Sequence, residues 1–364
     1  MEFRQSRMEV MGIKNILNKF KNKKIFITGH TGFKGSWLTS ILDVNGAITK
    51  GYSLEPNSTP SLYNKLNFSN NHSSVIADIN DYDFLKSEID DFEPEYIFHL
   101  AAQPLVIESY KNPIRTFETN FNGTLNLLEV LRESKFQSTA ILITTDKVYE
   151  NNELNVAFAE EDRIGGKDPY SASKAVCEIL INSYNHSFFN DSRIKIASVR
   201  AGNVIGGGDW SENRLVPDIV KALFEMIPIE IRNPSSTRPW QHVLEPLYGY
   251  LKLAIELSNN PNTFSGSWNF GPNEGDVKSV KEIIDISFKL GFKFNFKNIN
   301  KNKFNESKYL ALNIEKAKKS LNWNPKWNSQ VAIEKTLLWY KGFYAGENPN
   351  NLIEKDLENY NINK

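Results

Sequence analysis

The chain has 364 residues, with 43 basic and 43 acidic side chains. That length can bury a sizeable core in one large domain or two lobes, and the balanced charge favours neither a nucleic-acid nor an anionic-membrane partner. A single cysteine, Cys177, excludes an intrachain disulfide and a cysteine metal cluster, and the five histidines show no pair at metal-ligand spacing.

The start of the chain has no apolar core of signal-peptide length, and no run approaches about 18 apolar residues. The expectation is a soluble cytoplasmic protein. Residues 1–20 are polar and basic with one amphipathic patch (Ile13, Ile16, Leu17), and read as an N-terminal extension outside the fold. Lys24 to Thr28 is a short apolar run that suits a buried parallel strand. Gly29-His30-Thr31-Gly32-Phe33-Lys34-Gly35 follows, and then a helical pattern to about Val44. Strand, glycine loop and helix form the context in which bare backbone and a helix N-terminus receive a pyrophosphate. Ala47 to Ser53 reads as a second strand. Its end offers Glu55 just beyond but no arginine for a 2′-phosphate, which leans towards NAD.

Val75 to Ile79 reads as a third strand, with Asp78 placed to hold an adenine amine. Tyr96 to Gln103 is a fourth, running past Leu100 into the small residues Ala101 and Ala102, which let a cofactor lie close. His99 reads as a packed core histidine. A helix from about Pro113 to Glu133 carries the apolar stripe Ile114, Phe117, Phe121, Leu125 and Leu128. Ala140 to Thr144 is a fifth strand and delivers Thr145-Asp146-Lys147. Asp168-Pro169-Tyr170-Ser171-Ala172-Ser173-Lys174 then opens a helix with proline in its first turn. Tyr170 and Lys174 share one helix face. A phenol with a reference pKa of about 10 becomes a usable base when a neighbouring ammonium favours its phenolate. Lys195 to Val199 is a sixth strand.

Strands alternating with helices predict an α/β chain with a doubly wound parallel sheet, whose site lies beyond the carboxyl ends of the strands. After Arg200 the texture changes. The loop from Ala201 to Trp210, then Arg214, a short helix from Pro217 and Arg238-Pro239-Trp240-Gln241-His242-Val243 read as a smaller lobe capping the site. Arg214 and Arg238 could each fork onto a diphosphate or form structural ion pairs. Residues 278–290 and 329–341 read as helices of that lobe. The division expected is 21–202 for the dinucleotide-binding domain, with a return at about 240–272. The substrate lobe takes 203–239 and 273–346, and 347–364 is a frayed polar tail.

These residues resemble an extended short-chain dehydrogenase/reductase with a Rossmann sheet, and more narrowly the CDP-glucose 4,6-dehydratases. The resemblance runs from Lys24 to about Gly346. It is most specific in Thr28 to Trp37, Arg200 to Trp210 and Arg238 to Leu247. It implies an NAD-dependent lyase of deoxysugar biosynthesis acting on CDP-glucose. Tyr170 would take the C4 hydroxyl proton while hydride passes to NAD; water would leave across C5 and C6, and the hydride would return to C6. Thr145 would bond the C4 oxygen, and Lys174 would lower the Tyr170 pKa and hold the nicotinamide ribose. The resemblance implies a cofactor site of Gly29, Thr31, Gly32, Phe33, Lys34, Gly35, Asp78, Ile79, Leu100, Ala101, Ala102, Asn120, Tyr170, Lys174 and Arg200. It implies a substrate site of Gln103, Asn203, Arg214, Arg238 and His242.

Elimination needs an acid for the departing hydroxyl and a base for the C5 proton. Asp146 is placed to be the acid. In the related dTDP-glucose dehydratases the following residue is Glu; here it is Lys147, which either takes the C5 proton or polarises the 4-keto oxygen. A different 4,6-dehydratase or a 4-epimerase of the superfamily is the alternative, and a non-catalytic NAD sensor the alternative from another class. Relatives pair the helices after Pro113 and Tyr170 into a four-helix contact, so a homodimer is expected.

Overall fold

The computed structural model describes residues 12–151, 156–212, 214–224, 228–231, 234–235, 237–292, 295–298 and 310–362. Seven strands build one parallel sheet. They are β1 (Lys24–Thr28), β2 (Ile48–Ser53), β3 (His72–Ile76), β4 (Tyr96–His99), β5 (Ser138–Ile143), β6 (Ile194–Ala201) and β7 (Gly266–Phe270). Their order is β3-β2-β1-β4-β5-β6-β7. The chain reverses direction of travel across the sheet between β1 and β4, which opens a crevice at the carboxyl ends there.

Both faces of the sheet are covered, so the central strands are apolar at nearly every position. Ile25, Ile27, Phe98, Ile141 and Val199 point to one side, where the helices Phe33–Val44 and Leu244–Asn259 bury Trp37, Leu38, Leu247 and Leu251. Phe26, Ile97, Ala140, Leu142 and Ile196 point to the other, against Leu127, Leu131 and Ile181. A third apolar cluster joins Val216, Ile219, Ile283, Ile284, Ile333 and Leu337 from the helices Leu215–Phe224, Val280–Lys289 and Ser329–Tyr344.

Several elements differ from expectation. The third strand lies three residues earlier than predicted and the fourth stops at His99, so Leu100 to Gln103 are loop. β7 was not foreseen as a strand. The helix after Pro113 is interrupted by a π turn, Glu118–Asn122. That turn lets Asn120 point inward, where it binds the Gln103 backbone and Ser173. His99 is a core residue as expected, bonded to Thr28 Oγ1 at 2.8 Å and Thr124 Oγ1 at 3.1 Å.

The two ends of the chain correct the expectation most. Residues 1–11 lie outside the described residues, but Ile13–Asn18 is a helix whose Ile13, Ile16 and Leu17 are fully buried. The expected frayed tail is the helix Pro349–Ile362, which buries Leu352, Ile353, Leu357 and Tyr360. The first stripe is visible in the sequence as a patch but reads as lying outside the fold; polar composition hides the second, because only one face of that helix is apolar. Both ends pack beside Leu244–Asn259, and Tyr360 Oη donates to Glu245 Oε2 at 2.7 Å. Glu245 also accepts from the Trp327 and Lys326 N–H groups.

Burial pushes the Glu245 carboxyl from 4.5 up to about 7, against the pull of those donors. The folded chain therefore keeps a proton that the unfolded chain loses between those values, and stability falls as pH rises across that window. Glu245→Gln is expected to flatten the fall, so that thermal melts at pH 5 and pH 7.5 lie closer together than in the wild type. An undiminished difference would take Glu245 out of the account.

Candidate active site

β1 ends at Thr28 and the chain turns at Gly29, whose φ of 73° favours glycine. A Cβ at Gly29 would sit 2.6 Å from the Ala101 nitrogen, and one at Gly35 would sit 2.1 Å from the Gly29 carbonyl oxygen. The loop is thus folded as tightly as backbone allows, between the ends of β1 and β4. Gly32 caps the helix Phe33–Val44 with no side-chain partner and no acidic residue in the first turn. Its N–H groups and positive dipole end are left for an anion. Thr31 Oγ1 fastens the loop to the end of β2, through Ser53 Oγ at 2.9 Å and the Leu54 carbonyl at 2.8 Å. This cradle fits a dinucleotide pyrophosphate.

β5 delivers Thr145, Asp146 and Lys147 to the same crevice, in a single 3-10 turn over Asp146–Val148. Asp168 caps the helix Pro169–Tyr184 through the Ser171 N–H, which sets the rotation that turns Tyr170 and Lys174 inward. Thr145 Oγ1 donates to Asp146 Oδ1 at 3.1 Å, and Thr145 lies where it draws the Tyr170 phenol down. Burial raises the Asp146 carboxyl above its ordinary value, although Lys147, the Thr145 hydroxyl, Arg238 and Lys34 pull it down. A raised pKa is the direction that an acid for a departing hydroxyl requires.

Tyr170 departs from expectation. Burial pushes its phenol up to about 12, eased by Thr145 and Arg214. The Lys174 amine donates to the Ile143 carbonyl at 3.2 Å. Lys34 reaches into the same cluster. Burial, with Arg214 and Lys174 nearby, lowers its amine to about 8, and Asp146 opposes that shift.

Arg214 Nη1 pairs with Asp209 Oδ2 at 2.9 Å and lies within electrostatic reach of Tyr170. Arg238 acts on Asp146 from the strand Thr237–Arg238. Asn203 sits in the loop after β6, where its carbonyl accepts from the Gln241 N–H at 3.0 Å. Asp78 is exposed past β3, with Oδ1 accepting from Asn80. Ile79 is buried, while Leu100, Ala101 and Ala102 flank the glycine loop, half-buried.

Four expected ligands are committed elsewhere. Arg200 is buried on β6 and spends its guanidinium on Glu178, Tyr149 and Ser267. His242 is fully buried between Trp37 and Trp327, and burial drops its pKa to about 3. Gln103 folds back on its own loop, bonding Leu105 and Thr116. Asn120 gives its whole amide to Gln103 and Ser173. Each has a polar head of the right type, but packing, which spacing does not encode, decides where it points. Glu178 and Asp209 were passed over. For Glu178 a signal existed, since it lies one turn beyond Lys174 on the same face.

The chain matches the family model described as GDP-mannose 4,6 dehydratase over residues 26–336. A CDP-glucose 4,6-dehydratase of Salmonella typhimurium is 41% identical over 349 residues, covering 94% of this chain and 97% of that one. A dTDP-D-glucose 4,6-dehydratase of Dictyostelium discoideum is 28% identical, covering 94% and 86%. Among solved structures, an epimerase of Methanothermobacter thermautotrophicus superposes with a TM-score of 0.80 at 22% identity, covering 94% and 97%. A dTDP-glucose 4,6-dehydratase of Bacillus anthracis in complex with NAD gives 0.73 at 21%, covering 90% and 99%. At these identities the two structures speak for the fold.

Gly35→Ala is expected to abolish dinucleotide binding in a chain that still folds, because the added methyl must push the Gly29 carbonyl out of the cradle. Titration of intrinsic fluorescence with NAD checks this; wild-type affinity in the variant would show that the loop is not the cradle.

Proposed function

Because the chain belongs to the GDP-mannose 4,6-dehydratase family, we propose that it is a CDP-glucose 4,6-dehydratase, a hydro-lyase that forms CDP-4-dehydro-6-deoxyglucose. The cytosine preference rests on the 41% identity across nearly the whole of both chains. The observation that carries the dehydratase chemistry is Asp146, a buried carboxyl with a raised pKa, bonded by Thr145, which also acts on Tyr170. An epimerase needs no such acid.

Bound NAD would supply the hydride acceptor for C4 and the hydride donor for C6. Gly29, Gly32 and Gly35 would cradle its pyrophosphate, Asp78 would reach its adenine, and Lys174 would hold its nicotinamide ribose. On this chain Thr145 orients the C4 oxygen towards Tyr170, which takes the hydroxyl proton. The ketone so formed acidifies C5–H. Asp146 then protonates the departing C6 hydroxyl, which converts a poor leaving group into water. Lys147 is half-buried beside Asp146, within the same turn, and is assigned either the C5 proton or the 4-keto oxygen. Arg214 and Arg238 add positive charge where a diphosphate would lie. Both are carried on the segment 203–239, which with 273–346 we take as the substrate lobe.

Assembly follows from the helical face opposite the sheet. Ile114 is 74% exposed and Ile179 60%. Phe117, Phe121, Leu125, Val176 and Leu180 beside them are only half-buried. An apolar face of that extent in a chain with no helix able to cross a membrane among the described residues suits a second copy. We therefore infer a homodimer acting in the cytoplasm. A single 41.6 kDa species at micromolar concentration in sedimentation velocity would count against it.

The chemical stages separate by mutation. Tyr170→Phe should stop both C4 oxidation and dehydration. Asp146→Asn should oxidise C4 and then stall, accumulating bound NADH in a single turnover while 6-deoxy product falls by ~10²–10⁴-fold. Lys147→Met that loses solvent deuterium exchange at C5 with C4 oxidation intact would identify Lys147 as the base. Normal dehydration by Asp146→Asn would remove it as the acid and revive the epimerase alternative.

A further inference from the structure

Behind the catalytic face lies a buried charged group that no step above uses. Glu178 sits one turn after Lys174 on the helix Pro169–Tyr184, with its side chain 1% exposed. Arg200 Nη2 of β6 donates to its Oε2 at 2.7 Å. Ser198 Oγ of β6 donates to the same oxygen at 2.8 Å and Ser267 Oγ of β7 at 3.2 Å. Thr144 Oγ1, at the end of β5, donates to the other oxygen, Oε1. One carboxylate is therefore shared by the catalytic helix and three strands.

The places it grips lie next to the working residues. Thr144 precedes Thr145, Asp146 and Lys147. Arg200 precedes the loop of Gly202 and Asn203, where a Cβ on Gly202 would come within 3.0 Å of Asp146 Oδ2. Arg200 Nη1 carries the linkage on to Tyr149 Oη at 2.7 Å, and Tyr149 bonds Asn269 at 2.8 Å. Burial alone would raise the Glu178 carboxyl, but Arg200 and the hydroxyls hold it below its ordinary value, so it remains a carboxylate.

We propose that Glu178 is a positioning residue for the reaction. Its carboxylate locks the Tyr170–Lys174 helix to the ends of β5 and β6, and so sets the distance between Tyr170, Thr145 and Asp146. It also places a carboxylate charge one helical turn from Lys174. This rests on the catalytic reading of Tyr170 and Lys174 given above. The charged and titratable groups around Lys174 support it. Lys34 faces it from the glycine-loop helix and His99, neutral, from β4, while Cys177 and Glu178 act from its own helix. Burial lowers the Lys174 pKa, and Cys177 and Glu178 are the groups that raise it.

Two variants test the clamp. Glu178→Gln keeps the shape and removes the charge. Glu178→Met with Arg200→Met removes the whole ion pair, which in a buried setting often leaves stability intact. With CDP-glucose, both are expected to lose about 10²-fold in kcat, the scale of an ångström of misplacement, with KM for the nucleotide sugar unchanged. A second readout needs no turnover: competitive acetylation of Lys174 across pH, read by peptide mass. In Glu178→Gln its midpoint should move to lower pH than in the wild type. An unchanged midpoint in folded Glu178→Gln, or wild-type kcat in the Met pair, overturns the proposal. If Glu178→Gln does not fold, the Met pair decides alone. A wild-type chain that turns over no nucleotide sugar defeats the dehydratase reading instead, and the acetylation midpoint still tests the clamp.

Discussion

The arrangement hangs on one close approach of backbone to backbone. The helix Phe33–Val44 can lie against the end of β1 only because Gly35 has no side chain to strike the Gly29 carbonyl. That contact directs the helix N-terminus at the crevice between β1 and β4. It also brings Lys34, the residue before Gly35, into the neighbourhood of Asp146, Lys174 and Arg214. Cofactor cradle and catalytic cluster are thus two sides of the same loop, and neither can shift without the other.

Desolvation is the second organising force. In water a carboxyl would be ionised and an amine protonated at neutral pH, and neither would serve easily as acid or base. Here burial raises Asp146 and lowers Lys34 and Lys174, while a few charged neighbours set how far each moves. Tyr170 shows the cost. The enclosure that dries the site also disfavours its phenolate, so favourable charge must reach the phenol from the groups assembled around it.

The sheet, the glycine loop and the shared helix face of Tyr170 and Lys174 were legible in the sequence, because each follows from a period or a spacing. β1 is a bare apolar run; Tyr170 and Lys174 are one helical turn apart. Other features were not legible. Arg200, His242 and Gln103 in strands or loops, and Asn120 within a helix, have ligand-like side chains, yet three-dimensional neighbours absorb them. Tryptophans close over His242, Glu178 takes Arg200, and the π turn rotates Asn120 inward. The helix at the C-terminal end was not legible for a related reason: its buried stripe sits among asparagine and lysine, so average polarity outweighs it. At the N-terminal end the stripe Ile13, Ile16 and Leu17 was legible, but so short a stripe does not tell whether it docks.

Those end helices also close the molecule on itself. The Lys14 N–H reaches the Asn361 side chain at 3.4 Å across 347 positions of sequence. Closing so long a loop costs only about 0.6 kcal/mol more than closing one half its length, so a modest buried seam can hold it. From Gly12 to Ile362 the chain is nearly a ring. A short linker joining those two residues, with new termini cut in an exposed loop away from the crevice, would preserve every strand pairing and every side chain of the catalytic cluster.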